Sequence, residues 1–159
     1  MGVTRPTDHA ICVCYDVLVR SQGFQLGLKQ GTTLAHEINA VSFVLKDASG
    51  SIVVLGRRAN WQLSDDGPTD AEIDLAGLRL NEDPTFSYAY PDIDADELEK
   101  GRSTFGSICF GQVVTVSGQV YPSSSRIVWP SDELADKALP SAFVIGPGRF
   151  LGLKIRPGG

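Results

Sequence analysis

The stretch AVSFVLKDASGSIVVL, residues 40–55, decides the fold. Two runs rich in apolar and β-branched residues, Ala40–Lys46 and Ser51–Leu55, flank the tetrapeptide Asp47-Ala48-Ser49-Gly50. Asp and Ser side chains hydrogen-bond to nearby backbone in tight turns, and glycine supplies a positive φ at no steric cost. The pattern predicts a β-hairpin.

The same arrangement recurs on both sides of this segment. Upstream, Ile11–Val19 reads as a strand ended by Ser21-Gln22-Gly23, and Phe24–Leu28 places Phe, Leu and Leu at alternate positions, as a half-buried strand does. Downstream, Ala71–Leu80 reads as a strand because Gly77 interrupts a helix, and Phe86–Tyr90 alternates Phe86, Tyr88 and Tyr90 between Pro84 and Pro91, as an edge strand does. Thr104–Phe110, Gln112–Val116, Gln119–Tyr121, Arg126–Trp129, Ala142–Ile145 and Phe150–Ile155 continue the series, with Ser117-Gly118 as a two-residue turn and Gly146-Pro147-Gly148 as a tight one. Two short helical turns interrupt it. Asp94 caps a segment running to Lys100 with Glu97 at its third position, and Ser131 caps Asp132–Leu139. The expectation is an all-β fold, a jelly-roll-like β-sandwich or closed β-barrel with these two helical turns. No fixed-period repeat or linker divides the chain, so residues 1–159 are expected to form a single all-β domain.

Charge and composition narrow the function classes. Fourteen Lys and Arg against nineteen Asp and Glu give a net charge of −5. The only adjacent basic pair is Arg57-Arg58, whereas nucleic-acid binding draws on a basic face that displaces counterions, so nucleic acid is not expected as a partner. No apolar run reaches the ~20 residues that span a bilayer, and residues 1–8 do not resemble a secretory signal, which sets the expected location in the cytoplasm. The cysteines, Cys12, Cys14 and Cys109, are odd in number and read as reduced thiols. On a strand, Cys12 and Cys14 share a face, yet a structural zinc site takes four ligands and the remaining candidates, Cys109, His9 and His36, are far apart in sequence. No metal and no cofactor is expected.

Catalytic patterns are equally sparse. Asp92-Ile93-Asp94-Ala95-Asp96 begins like a calcium loop, but Glu97 and Ser103 stand where the helix–loop–helix site requires Gly and Glu. His36-Glu37 supplies one His and one Glu, without the further ligands that a jelly-roll metal enzyme carries on later strands. There is no G-x-S-x-G elbow, no phosphate-cradling glycine loop and no dinucleotide fingerprint. What stands out is aromatic: Trp61, Tyr88, Tyr90, Tyr121 and Trp129 suit interfaces as well as cores, and Phe86, Tyr88 and Tyr90 are the expected partner-contact residues. These features point to a non-catalytic β-sandwich assembly or binding module that associates with itself or with other subunits, as structural components of viral or phage particles do. The alternative is a small β-barrel enzyme of cyclase or isomerase type, or a carrier, acting on an apolar small molecule in an internal cavity. A third reading, a lectin-like surface, rests on the same aromatics.

Overall fold

A computed structural model of the chain describes residues 2–24, 26–63, 84–91, 93–122 and 143–158. Its strands are β1 (Val3–Thr4), β2 (Ile11–Cys12), β3 (Cys14–Arg20), β4 (Thr33–Ala40), β5 (Phe43–Asp47), β6 (Gly50–Val54), β7 (Asn60–Trp61), β8 (Phe86–Ala89), β9 (Arg102–Ile108), β10 (Val114–Ser117), β11 (Gln119–Pro122), β12 (Phe143–Gly146) and β13 (Lys154–Pro157). Helix α1 (Ala95–Glu99) and a 3-10 turn at Gly56–Arg58 are the helical segments among the described residues. The fold is all-β. No helix among the described residues is long and apolar enough to cross a membrane.

Contacts gather the chain into two compact units, each built from two separate segments. Unit 1 takes residues 1–40 and 63–111. Its main sheet is antiparallel with strand order β8-β4-β3-β9, beside the short pair β1-β2. Period-two alternation assigns the faces. Tyr15, Val17 and Val19 of β3 point to one side and are fully buried, whereas Asp16 and Leu18 point to the other and are only partly so. Helix α1 starts as its sequence dictates: the Asp94 Oδ1 accepts the Glu97 N–H at 2.9 Å, and Leu98 is the residue it buries.

Unit 2 takes residues 41–62 and 112–159. The expected hairpin is here. β5 and β6 pair from Phe43↔Val54 to Asp47↔Gly50, the Asp47 Oδ1 accepts the N–H groups of Ser49 at 2.7 Å and Gly50 at 3.2 Å, and Gly50 has a φ of 147°. The Ser49 hydroxyl, which donates to the same oxygen at 2.5 Å, foremost, and these backbone donors with it, hold the Asp47 carboxyl below its ordinary pKa. The unit contains two mixed sheets, ordered β11-β12-β6-β5 and β10-β13-β7. The sequence-adjacent pairs β10/β11, β12/β13 and β6/β7 each have one member in either sheet, and the two sheets list them in the same spatial order. Three chain segments therefore turn a corner side by side, which is how strands pass between sheets in sandwiches with bent strands. At the corner the Leu55 N–H donates to the Ile145 carbonyl and the Asn60 N–H to that of Leu153. Gly118 makes the bend where a Cβ would lie 2.8 Å from both the Gly146 oxygen and Leu153 Cδ1. The unit's buried side chains include Val53, Val54, Trp61, Val144, Leu153 and Ile155.

Two expectations are corrected. Phe24–Leu28 is not a strand: Gly23, Leu26 and Gly27 have positive φ values, which curl the chain, and Phe24 is exposed. Ser21 closes that loop, its N–H donating to the Thr32 carbonyl and its Oγ to the Lys29 carbonyl at 2.6 Å. Nor does Ser117-Gly118 join a hairpin, because β10 pairs with β13 and β11 with β12. The expected elements Ala71–Leu80, Arg126–Trp129 and Asp132–Leu139 lie outside the described residues.

Candidate functional site

Strand register brings together, on the partly exposed face of the unit 1 sheet, residues far apart in the chain. One cross-strand row runs Tyr88, His36, Leu18, Thr104, and the next runs Phe86, Ile38, Asp16, Gly106. Diagonally between them, His36 Nε2 lies 2.8 Å from Asp16 Oδ1, with both side chains about a quarter exposed (28 % and 26 %). Phe86 meets the His36 imidazole edge-on, ring centroids 5.2 Å apart. Gly106 contributes no side chain beside Asp16, and a cleft of about 180 Å³ opens there, lined by Asp16, Leu18, His36, Leu63, Thr104, Phe105 and Gly106. Drug-sized ligands occupy roughly 300–1,000 Å³; this cleft suits a smaller group.

The opposite face of the same strands is a buried polar cluster. The Tyr15 hydroxyl donates to Glu37 Oε2 at 2.5 Å, and both residues are buried together with Asn39. Burial first, and the neighbouring Glu37 carboxylate second, push the Tyr15 phenol well above its ordinary pKa. His36 and Glu37, neighbours in sequence, thus serve opposite faces, and the partner of His36 is Asp16.

The aromatic residues singled out from the sequence are placed at the sheet margin. Among the described residues β8 is the outer strand beyond β4, every one of its residues is exposed, and Phe86 and Tyr88 (47 % and 43 % exposed) point to the His36 side. Tyr90 follows the strand, is partly buried, and donates its N–H to the Leu34 carbonyl at 2.7 Å.

The thiols lie elsewhere in unit 1. Cys12 and Cys14 are fully buried, and burial pushes the Cys12 thiol up to about 12 and that of Cys14 upward too. Arg5, paired with Asp8, also reaches Cys109 Sγ at 3.2 Å and Ser107 Oγ at 3.4 Å. Among the described residues no three His, Cys, Asp or Glu side chains gather as metal ligands would. Asp94, the centre of the calcium-like sequence, is engaged as the helix cap.

No known protein family, curated protein or solved structure matches this chain.

Proposed function

We propose that the protein is a non-catalytic binding or assembly module, built on a jelly-roll-like β-sandwich or closed barrel, that joins copies of itself or other subunits into a larger particle such as a viral or phage structure. The observation that carries the reading is β8: the outer strand of its sheet among the described residues, exposed along its whole length, with Phe86 and Tyr88 side by side on one face. An outer strand offers backbone N–H and C=O groups to a neighbouring chain, and aromatic side chains contribute the largest apolar contact area per residue at interfaces. Two exposed aromatics on such a strand suit an isologous contact, in which the same patch meets itself across a two-fold axis. Tyr90, partly buried beyond the strand, is the flanking contact in this reading.

The test is the mass of the purified protein in solution as concentration rises, by light scattering coupled to size exclusion. Self-association that is lost in the double variant Phe86→Ser/Tyr88→Ser supports the reading. A wild-type chain that stays monomeric to millimolar concentration, and that gains no mass with proteins of its source, sinks it.

A further inference from the structure

One row beyond Leu18 and Thr104, on the face that carries the His36–Asp16 pair, Arg20 of β3 stands directly opposite Arg102 of β9. Both are exposed, and among the described residues neither has a carboxylate in ion-pair range. Like charges directly opposite across a strand pair repel, and the repulsion turns to attraction when an oxyanion sits between them. Two guanidinium forks side by side match the oxygens of a phosphate or sulfate group, which accept paired hydrogen bonds from each fork.

The same face supplies a second kind of recognition at a fixed distance. Two residues of strand separate the arginine row from the row of His36, Leu18 and Thr104, a span of about 7 Å. One Asp16 oxygen is held by His36; among the described residues the other oxygen and the His36 Nδ1 have no protein partner, and both side chains border the cleft. A carboxylate there repels a second anionic group and accepts hydrogen bonds from hydroxyls, and the Thr104 hydroxyl adds a donor and an acceptor. Leu18 and Leu63 give the cleft an apolar wall, the counterpart of the C–H face of a sugar ring.

We propose that this face binds a small polyhydroxylated ester of phosphate or sulfate, with Arg20 and Arg102 on the ester group and Asp16, His36 and Thr104 on the hydroxyls. A hexose 6-phosphate or 6-sulfate is the simplest ligand of this class, its ring spanning the gap between the two polar ends. The arginine end of the site is separate from the β8 edge: in the order β8-β4-β3-β9, Arg102 lies three strand spacings, about 14 Å, from Phe86 and Tyr88, whereas the His36 end adjoins Phe86.

Titration calorimetry of the full chain at low ionic strength, with glucose 6-phosphate, glucose 6-sulfate, glucose and inorganic phosphate as separate probes, tests the proposal. At least one ester is expected to bind, with glucose and inorganic phosphate each at least about tenfold weaker, since each end supplies part of the free energy. If both esters bind alike, the shared oxyanion chemistry is what the arginines read; if one binds, it identifies the source. Arg20→Gln and Arg102→Gln are each expected to weaken the ester about tenfold, and Asp16→Asn to weaken ester and glucose in the same proportion. Arg102→Lys, which keeps the charge and stem but not the fork, is expected to bind at intermediate strength and serves if a glutamine variant fails to fold. Absence of binding by both esters at about 10 mM, inorganic phosphate binding as tightly as the esters, or binding unchanged in the arginine variants would each overturn it. Arg102→Gln, three strands away from β8, is expected to leave self-association intact while it weakens the ester, so a failed assembly reading and a failed ligand reading give different results.

Discussion

Removing a single oxygen atom from the buried face of the unit 1 sheet tests how that face is held. Tyr15 is fully buried and its hydroxyl donates to the buried Glu37 carboxylate at 2.5 Å. Tyr15→Phe keeps the ring, so it leaves no cavity of the kind that a truncation to alanine opens. What it removes is the phenol's hydrogen bonds to Glu37 and Asn39, and a hydrogen bond to a charged group contributes about 1.5–3 kcal/mol. The expected loss is about 2 kcal/mol, and with a urea dependence of about 2 kcal/mol per molar the midpoint falls by about 1 M. Glu37→Gln keeps an acceptor but removes the charge, and the double variant is expected to lose less than the sum of the two, with a coupling of about 1 kcal/mol or more. Urea unfolding followed by far-ultraviolet circular dichroism reads all three. A Tyr15→Phe midpoint within about 0.2 M of the parent would refute the reasoning, because it would mean that Glu37 is satisfied without the phenol.

Two further outcomes follow from the structure. Gly56→Ala places a Cβ 2.1 Å from the Val41 carbonyl oxygen and strains the 3-10 turn whose Gly56 carbonyl accepts the Trp61 Nε1–H at 2.8 Å; a loss of about 2–3 kcal/mol of stability, read by urea unfolding, and a red-shifted tryptophan emission are expected, and parental stability would count against the packing at this turn. Stability should also fall in alkali: burial pushes the Cys12 thiol from the ordinary 9.0 up to about 12, and Cys14 and Tyr15 are shifted the same way, so their contribution is complete below pH 9 and fades as pH climbs toward 12; a thermal midpoint that stays level from pH 8 to 11 would contradict the burial of these groups.

What the sequence revealed depended on how local the deciding interaction is. The β5–β6 turn, the Asp94 cap and the exposed alternation of Phe86 and Tyr88 are set within a few residues, and each is found where the residue pattern puts it. Phe24–Leu28 has the alternation of a strand, but Gly23 before it, Gly27 within it and the hydrogen bonds of Ser21 across the loop override it. β10 and β11 are separated by one glycine, yet each takes its partner from the far end of the chain, which no short window contains. The candidate site follows the same rule. His36 draws notice beside Glu37, but the period of two sends Glu37 to the core, and only the pairing of β3 with β4 reveals Asp16 as its partner. Likewise, nothing in the spacing of Arg20 and Arg102 hints that they stand face to face.

The two units are threaded through each other's sequence, the second borrowing residues 41–62 from between the two segments of the first. During synthesis, β5 and β6 are made together, but β6 must wait for β12, its parallel neighbour, until Phe143–Gly146 has been made. In that interval the Val53–Val54 backbone is an open template, a time at which a nascent chain is prone to pair with the wrong neighbour. Unit 1 faces no such delay beyond residue 111. Translation speed across residues 112–146, or a chaperone that shields this hairpin, is therefore expected to govern the yield of correctly folded protein more strongly than translation speed across residues 1–40.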